Sequence, residues 1–332
     1  MKKPVLALLS CCFAFSSCDL IEVVVDELKD LTNNELVTEP QVSVDGQFTS
    51  EADVINALDT ASNSLSEYII KQMEVEKILF NKDFNSITPD NPDIADLWAK
   101  GYRTINIAIN SVNSLQTSGE FLDEEAQRKY EAKFNAISGF IYKNMFEHWG
   151  SVPIITSSHT VPEEVYRPEE SEILEHIYAQ LKSSADILMM EEHYDNSSLS
   201  YPSILLALSE IKHWDYNVGL EYSRRFKETT DIGNPVFFVR DENGVNYTIY
   251  TRKHADLLEM EYTYLLGMHN DEINSIEDIV RRWDSTSYGY WAMLKRLGRT
   301  AEVIGCPEYM ELLPVPENEL YLVPNLVQNP GY

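Results

Sequence analysis

From Ser50 onward, apolar residues return every three or four positions for about a hundred residues, a period that admits α-helices and little else. Ser50, with Asp53 three residues on, reads as a helix start, and Ile55, Leu58, Leu65 and Ile69 then share one face. A second helix is expected over 93–115, where Ile94, Trp98, Tyr102, Ile105, Ile109 and Val112 keep the spacing. A third is expected over 123–148, stopped by Gly150 with Pro153 just beyond. Pro168 and Ser171 open a fourth, which turns Ile173, Ile177, Leu181, Ala185 and Leu188 inward. Further helices fit 202–213, 216–228, 253–268, 273–283 and 288–299.

Helices in such close succession can bury their apolar stripes only by doubling back on one another, so the expected fold is mainly α. Antiparallel helix pairs of a TPR-like helical repeat suit the pattern, although no clean ~34-residue period is visible. Two exceptions break the helical series. Residues 236–240 and 245–250 flank Asn243-Gly244, which reads as a small β-hairpin. From Pro307 the chain turns extended and proline-rich, with Pro314-Val315-Pro316 and a terminal Asn329-Pro330-Gly331-Tyr332, and is expected to lie back across the helices as a strap on which Tyr332 packs.

The first residues follow different rules. Lys2 and Lys3 precede an apolar run over 5–15, then Ser16, Ser17 and Cys18. A charged start, a short apolar stretch and small residues before a cysteine describe a cleaved secretory leader, 1–17, with Cys18 as the lipid-bearing residue. The run falls well short of the roughly 20 apolar residues that span a bilayer. Residues 18–47 mix acids with isolated valines and read as a flexible tether, leaving 48–332 as one folded domain. Of the four cysteines, Cys11 and Cys12 leave with the leader and Cys18 carries lipid, so Cys306 has no disulfide partner.

The chain has 54 acidic against 26 basic residues, a formal charge of −28 that becomes more negative once Lys2 and Lys3 are removed. Such a field repels nucleic acid and anionic lipid head groups, and it leaves neutral or cationic ligands open. Catalytic patterns are missing: there is no Gly-x-Ser-x-Gly, no His-Glu-x-x-His and no phosphate-binding glycine loop. The seven histidines, from His148 to His269, have no ligand spacing. An enzyme is therefore not expected, and no cofactor.

Two clusters remain as binding candidates. Asn81, Asp83 and Phe84, followed by Asn85, Asp90, Asn91 and Asp93, make an oxygen-rich interhelical loop, where a structural Ca²⁺ is conceivable although the EF-hand order and its closing Glu are absent. Trp214, Tyr288 and Tyr290 stand at helix junctions, and flat rings with polar rims suit sugars.

Four segments, in order, resemble the SusD/RagB family of nutrient-binding outer-membrane lipoproteins. They are the helix with Trp98, Tyr102, Ile105 and Asn110; the stretch from Ala136 to His148-Trp149-Gly150-Ser151-Val152-Pro153-Ile154-Ile155; the helix from Ile173 to Leu188; and Trp291 to Gly298, followed by Leu312-Leu313-Pro314-Val315-Pro316 and the terminal Asn-Pro-Gly-Tyr. Ser138 or a neighbour stands where the second motif usually has Arg, Gln180 where the third has Asp, and the chain is short between the fourth helix and Trp291. The resemblance implies a lipid-anchored protein on the external face of the outer membrane, forming a lid on a SusC-like TonB-dependent barrel and passing it glycans or related nutrients unchanged. The shortened middle keeps a second reading open: a scaffold or docking lipoprotein of such a transporter without a ligand of its own.

Overall fold

The structure, a computed structural model, describes residues 48–156, 161–191, 198–211, 215–230, 237–268 and 273–332. The leader, Cys18, the tether and Trp214 lie outside the described residues. Within them the chain forms eleven α-helices and one two-stranded sheet. The long helices are α1 (Glu51–Phe80), α2 (Pro92–Ser118), α3 (Glu124–Trp149) and α4 (Glu170–Leu188). Then come α5 (Tyr201–Ile211), α6 (Tyr216–Thr229), β1 (Phe237–Arg240), β2 (Asn246–Tyr250) and α7 (Arg252–Leu265). Four short helices close the series: α8 (Ile276–Arg282), α9 (Tyr290–Arg296), α10 (Thr300–Ile304) and α11 (Glu317–Leu322). Each of α1 to α7 packs chiefly on its neighbours in sequence, which is the helical-repeat arrangement. No described helix is long and apolar enough to cross a membrane.

The helix starts follow local chemistry. Ser50 and Asp53 form a reciprocal capping box on α1. Asn91 caps α2, its Oδ1 accepting from the amides of Asp93 at 2.7 Å and Ile94 at 3.2 Å, with Pro92 in the first turn where a missing N–H costs nothing. Asp123 caps α3. The inward face of α1 keeps the expected Leu65 and Ile69 but not Ile55. Ile55 is 44% exposed, whereas Val54, Ala61, Leu65, Tyr68 and Ile69 are buried, because the stripe that meets α2 and α3 starts at Val54.

Helix α3 is the centre of the molecule. Every residue from 136 to 145 is buried, including Lys143 and Asn144, because α2, α4 and α5 surround the helix. Helix α3 approaches α4 closely at Gly139. A Cβ on Gly139 would lie 3.2 Å from Cβ of Gln180 on α4, and the neighbouring Ser138 Oγ and Gln180 Oε1 are buried without a hydrogen-bond partner.

The C-terminal strap returns across α2 and α3 as expected. The Leu313 amide donates to the His148 carbonyl at 2.7 Å, and Trp149 Nε1 donates to the Pro314 carbonyl at 2.8 Å. Asn329 Nδ2 reaches two buried carbonyls, of Leu313 at 2.7 Å and Trp149 at 3.1 Å. Tyr332 donates to the Leu312 carbonyl and meets Tyr309 edge to face at 5.0 Å, across Gly331 at φ +98°. Arg167 ties the strap to the loop after α3, donating to the carbonyls of Ser151, Trp149 and Val327.

Candidate functional site

Side chains from α1 and the hairpin enclose an open groove. Along α1, Leu58, Asp59, Ser62, Asn63, Ser66, Glu67, Ile70, Lys71 and Glu74 form a stripe at helical spacing beside the buried one. Two compartments of about 730 Å³ and 670 Å³ lie over it and share Asn63, Ser66 and Arg240. Each falls in the ~300–1,000 Å³ range of small-ligand sites. Half-buried Tyr247 lines the first and half-buried Phe238 the second.

The hairpin wall is held from both ends. At its tip Asp241 Oδ1 accepts from the amides of Asn243 at 2.9 Å and Val245 at 2.8 Å, and Gly244 takes the left-handed conformation at φ +80°. The Asn-Gly pair therefore ends a longer turn over 241–245 rather than forming a two-residue one. At its base Phe237 and Tyr250 are buried edge to face against Phe140 at 5.9 and 6.0 Å. Arg240 is steadied by its Nε donating to Asn246 Oδ1 at 2.9 Å across the strands. Burial and the neighbouring Asp241, then Glu74, push the Tyr247 phenol up, so the groove keeps a neutral ring there.

Groove lysines face acids. Lys71 lies 3.0 Å from Glu74, 3.1 Å from Asp93 and 3.6 Å from Asp96; Lys100 is 3.6 Å from both Glu67 and Asp96; Lys133 is 2.9 Å from Glu191. The Lys71 pairs bring the first turn of α2 to one end of the groove.

The sites expected from sequence do not gather there. Asn81 is exposed at the end of α1, where its amide donates to the Lys77 carbonyl. Asp83, also exposed, accepts from Ser86 Oγ at 2.7 Å, and Phe84 is half-buried against the core. The oxygens of Asp83 and Asn91 thus serve a turn and a cap. Among the described residues no group of three or more His, Cys, Asp or Glu is placed to hold a metal. Tyr288 and Tyr290 correct the expectation of a stacking platform: they are 3% and 6% exposed. Tyr288 donates to Asn144 Oδ1 at 2.6 Å and stacks on Phe140, while Tyr290 meets Phe80 edge to face at 5.7 Å. Their faces are used inside the molecule.

Behind the groove lies a buried ionic network. Lys143 Nζ sits 2.8 Å from Glu210 on α5 and 3.0 Å from Glu147. Glu210 also faces His254 Nε2 at 2.9 Å and accepts from the Tyr250 hydroxyl. Burial opposes charge on Glu210, but Lys143, then His254 and Arg296, outweigh it and hold the carboxyl well below the usual range. Burial likewise opposes charge on Lys143, and Glu147 and Glu210 reverse it. A second pair, Arg296 to Glu261 at 2.8 and 3.0 Å, lies beside it on α9 and α7. The most perturbed carboxylate is therefore sealed from solvent, where no substrate meets it.

No family model and no curated protein sequence matches this chain. Solved structures do. A SusD superfamily protein of Bacteroides vulgatus superposes with a TM-score of 0.70 at 11% identity, over 86% of this chain and 99% of that one. The chain has the SusD fold. A surface glycan-binding protein of Bacteroides thetaiotaomicron, in complex with laminarihexaose, matches at TM-score 0.65 and 11% identity over 85% of this chain and 100% of its own. A laminarin-binding SusD-like protein matches at 0.66 and 13%, over 86% and 100%. Sequence patterns reached this fold through the Trp98 helix and the terminal strap, both of which are core. They missed the groove, whose signal was the small polar series Ser62, Asn63 and Ser66 opposite an Asn-Gly hairpin.

Proposed function

We propose that this chain is a SusD/RagB-type surface lipoprotein that binds glycans without altering them and passes them to a SusC-like TonB-dependent barrel. The groove carries the reading: ring faces at Phe238 and Tyr247 lie among amides, hydroxyls and charges, the combination that holds a sugar by stacking and hydrogen bonds. The SusD fold, shared with two glycan-binding proteins, supports it, and so does the separation of the strongly perturbed carboxylate from the groove. The leader and Cys18 supply the lipid anchor, and the tether its reach to the barrel.

Calorimetry of the purified protein against a polysaccharide panel that includes laminarin tests the binding, with chromatography of the same mixtures for products. Saturable binding with unchanged glycan is expected; released oligosaccharides would sink the non-catalytic reading. Burial of Tyr288 and Tyr290 favours a second reading, a docking lipoprotein without a ligand. Capture of a barrel from outer membranes together with a flat glycan panel would select it.

A further inference from the structure

We infer that the groove receives one extended glycan chain without acidic groups, which crosses Arg240 and occupies both compartments together. This rests on the glycan-binding reading above and adds the ligand's shape and charge. The shape follows from the walls. Asn63, Ser66 and Arg240 line both compartments, so these are two stretches of one channel. From Leu58 to Glu74 the α1 wall rises about 24 Å at ~1.5 Å per residue. That length accommodates several sugar rings, whereas a monosaccharide fills only one end. Each stretch has its own ring, Phe238 on one side of Arg240 and Tyr247 on the other, so successive sugars of a chain meet a stacking surface twice.

The charge follows from the cations. Lys71, Lys100 and Lys133 each already face a carboxylate within 3.6 Å. Exposed pairs of this kind are individually weak, and a polyanion could displace them at little cost. The groove rim is nonetheless rich in acids, Asp59, Glu67, Glu74, Asp241 and Glu242, on a chain of net charge −28. A uronate or sulfate chain entering there meets a repulsive field with the three lysines already engaged; Arg240, whose Nε donates to the neutral Asn246, is itself followed by Asp241 and Glu242 on the rim. A neutral chain meets hydroxyl, amide and carboxylate partners without that opposition.

The test is calorimetry on the full chain at low and physiological salt. The probes are neutral gluco-oligosaccharides from disaccharide to hexasaccharide, with oligogalacturonates and chitosan oligomers of matched length. Neutral affinity is expected to rise with length, and matched galacturonates to bind at least about tenfold more weakly at low salt. Phe238→Ala and Tyr247→Ala should each weaken the hexasaccharide roughly 2- to 12-fold, the range of a lost stacking contact. Asn63→Trp, at an exposed position on the shared wall, should reduce hexasaccharide affinity to the disaccharide level without disturbing the hairpin. Length-independent binding, galacturonate oligomers that bind as tightly as neutral ones, or chitosan oligomers that bind more weakly than galacturonates would overturn the inference. Glycan binding indifferent to all three variants would place the site elsewhere and overturn it while leaving the glycan reading intact. If nothing on the panel binds, both fall.

Discussion

Replacing Glu319 with Gln should stabilise the protein in alkaline buffer and leave it nearly unchanged in acid. Glu319 sits on α11 of the strap, 4% exposed, and packs toward Trp98 and Tyr102 of α2. Burial pushes its carboxyl up to about 7 from an ordinary 4.5, with Trp98 only partly opposing the rise. A raised acid favours the protonated form in the fold. Its contribution is therefore complete below about pH 4.5, where folded and unfolded chains are both protonated, and is lost as pH climbs to about 7. At ~1.4 kcal/mol per pH unit the full loss is about 3 kcal/mol, of which roughly 2.5 falls between pH 5 and pH 8. Gln cannot ionise and escapes it. Urea unfolding followed by tryptophan fluorescence, wild type against Glu319→Gln at both pH values, isolates this group because all other titrations cancel. The variant should gain about 2–3 kcal/mol more at pH 8 than at pH 5, or several degrees in Tm for a chain of this size. An equal effect at both pH values would refute the reasoning, and so would a loss confined to pH 8.

Other positions test other parts of the fold. Lys143→Met leaves the buried Glu210 and the half-buried Glu147 without their lysine and should cost about 3–5 kcal/mol in thermal or urea unfolding; adding Glu210→Leu should restore part of it. Asn329→Ala removes donors to two buried carbonyls and should cost about 2–3 kcal/mol, with faster proteolysis confined to the strap. Gly219→Ala places a Cβ 2.8 Å from the Tyr262 ring and 3.2 Å from the Ser209 carbonyl, and should lower stability by about 1–3 kcal/mol, measured as a fall in Tm. Cys18→Ala should release the protein from outer membranes into a salt wash; retention would make barrel contact the main anchor.

Much of the helical framework was legible because its signals are local. Ser50 with Asp53 and Gly150 after Trp149 each act through backbone groups within four residues and mark observed helix ends, whereas Asn91, read as a loop oxygen, proves to be the cap of α2. The strap was legible only in part: Pro314-Val315-Pro316 and Asn329-Pro330-Gly331 keep the chain out of helix, but α11 forms over Glu317–Leu322, where no proline intervenes. What failed depends on tertiary neighbours. Ile55 satisfies the period as well as Val54 does, and only the position of α2 and α3 decides between them. Tyr288 and Tyr290 are as suited to sugars as to a core, and only Phe140, Asn144 and Phe80 show which use prevails. Lys143 is the single charge in residues 136–145, a run whose lack of other charges is the pattern of a helix enclosed on all sides. The groove needed both an α1 stripe and a hairpin some 180 residues later, a juxtaposition no local window contains.

The buried network and the groove are connected through the hairpin. A two-stranded hairpin alone is marginal in water, so a wall built from one must borrow rigidity from behind. Here Tyr250, the last residue of β2, is bonded to Glu210 of α5, and Glu210 is paired with Lys143 of α3. Phe140, one turn before Lys143, contacts both Phe237 and Tyr250 at the hairpin base. Charge and ring packing therefore fix the same two strands to the central helix, while Arg240, Phe238 and Tyr247 remain available at the groove. A buried ion pair is a poor source of net stability, since desolvation offsets most of its attraction, but its geometric demands are strict. That strictness suits a binding wall, because side chains already held in place lose less entropy when a ligand arrives. Breaking the network at Glu210 should then weaken glycan binding from a position that no ligand in the groove touches.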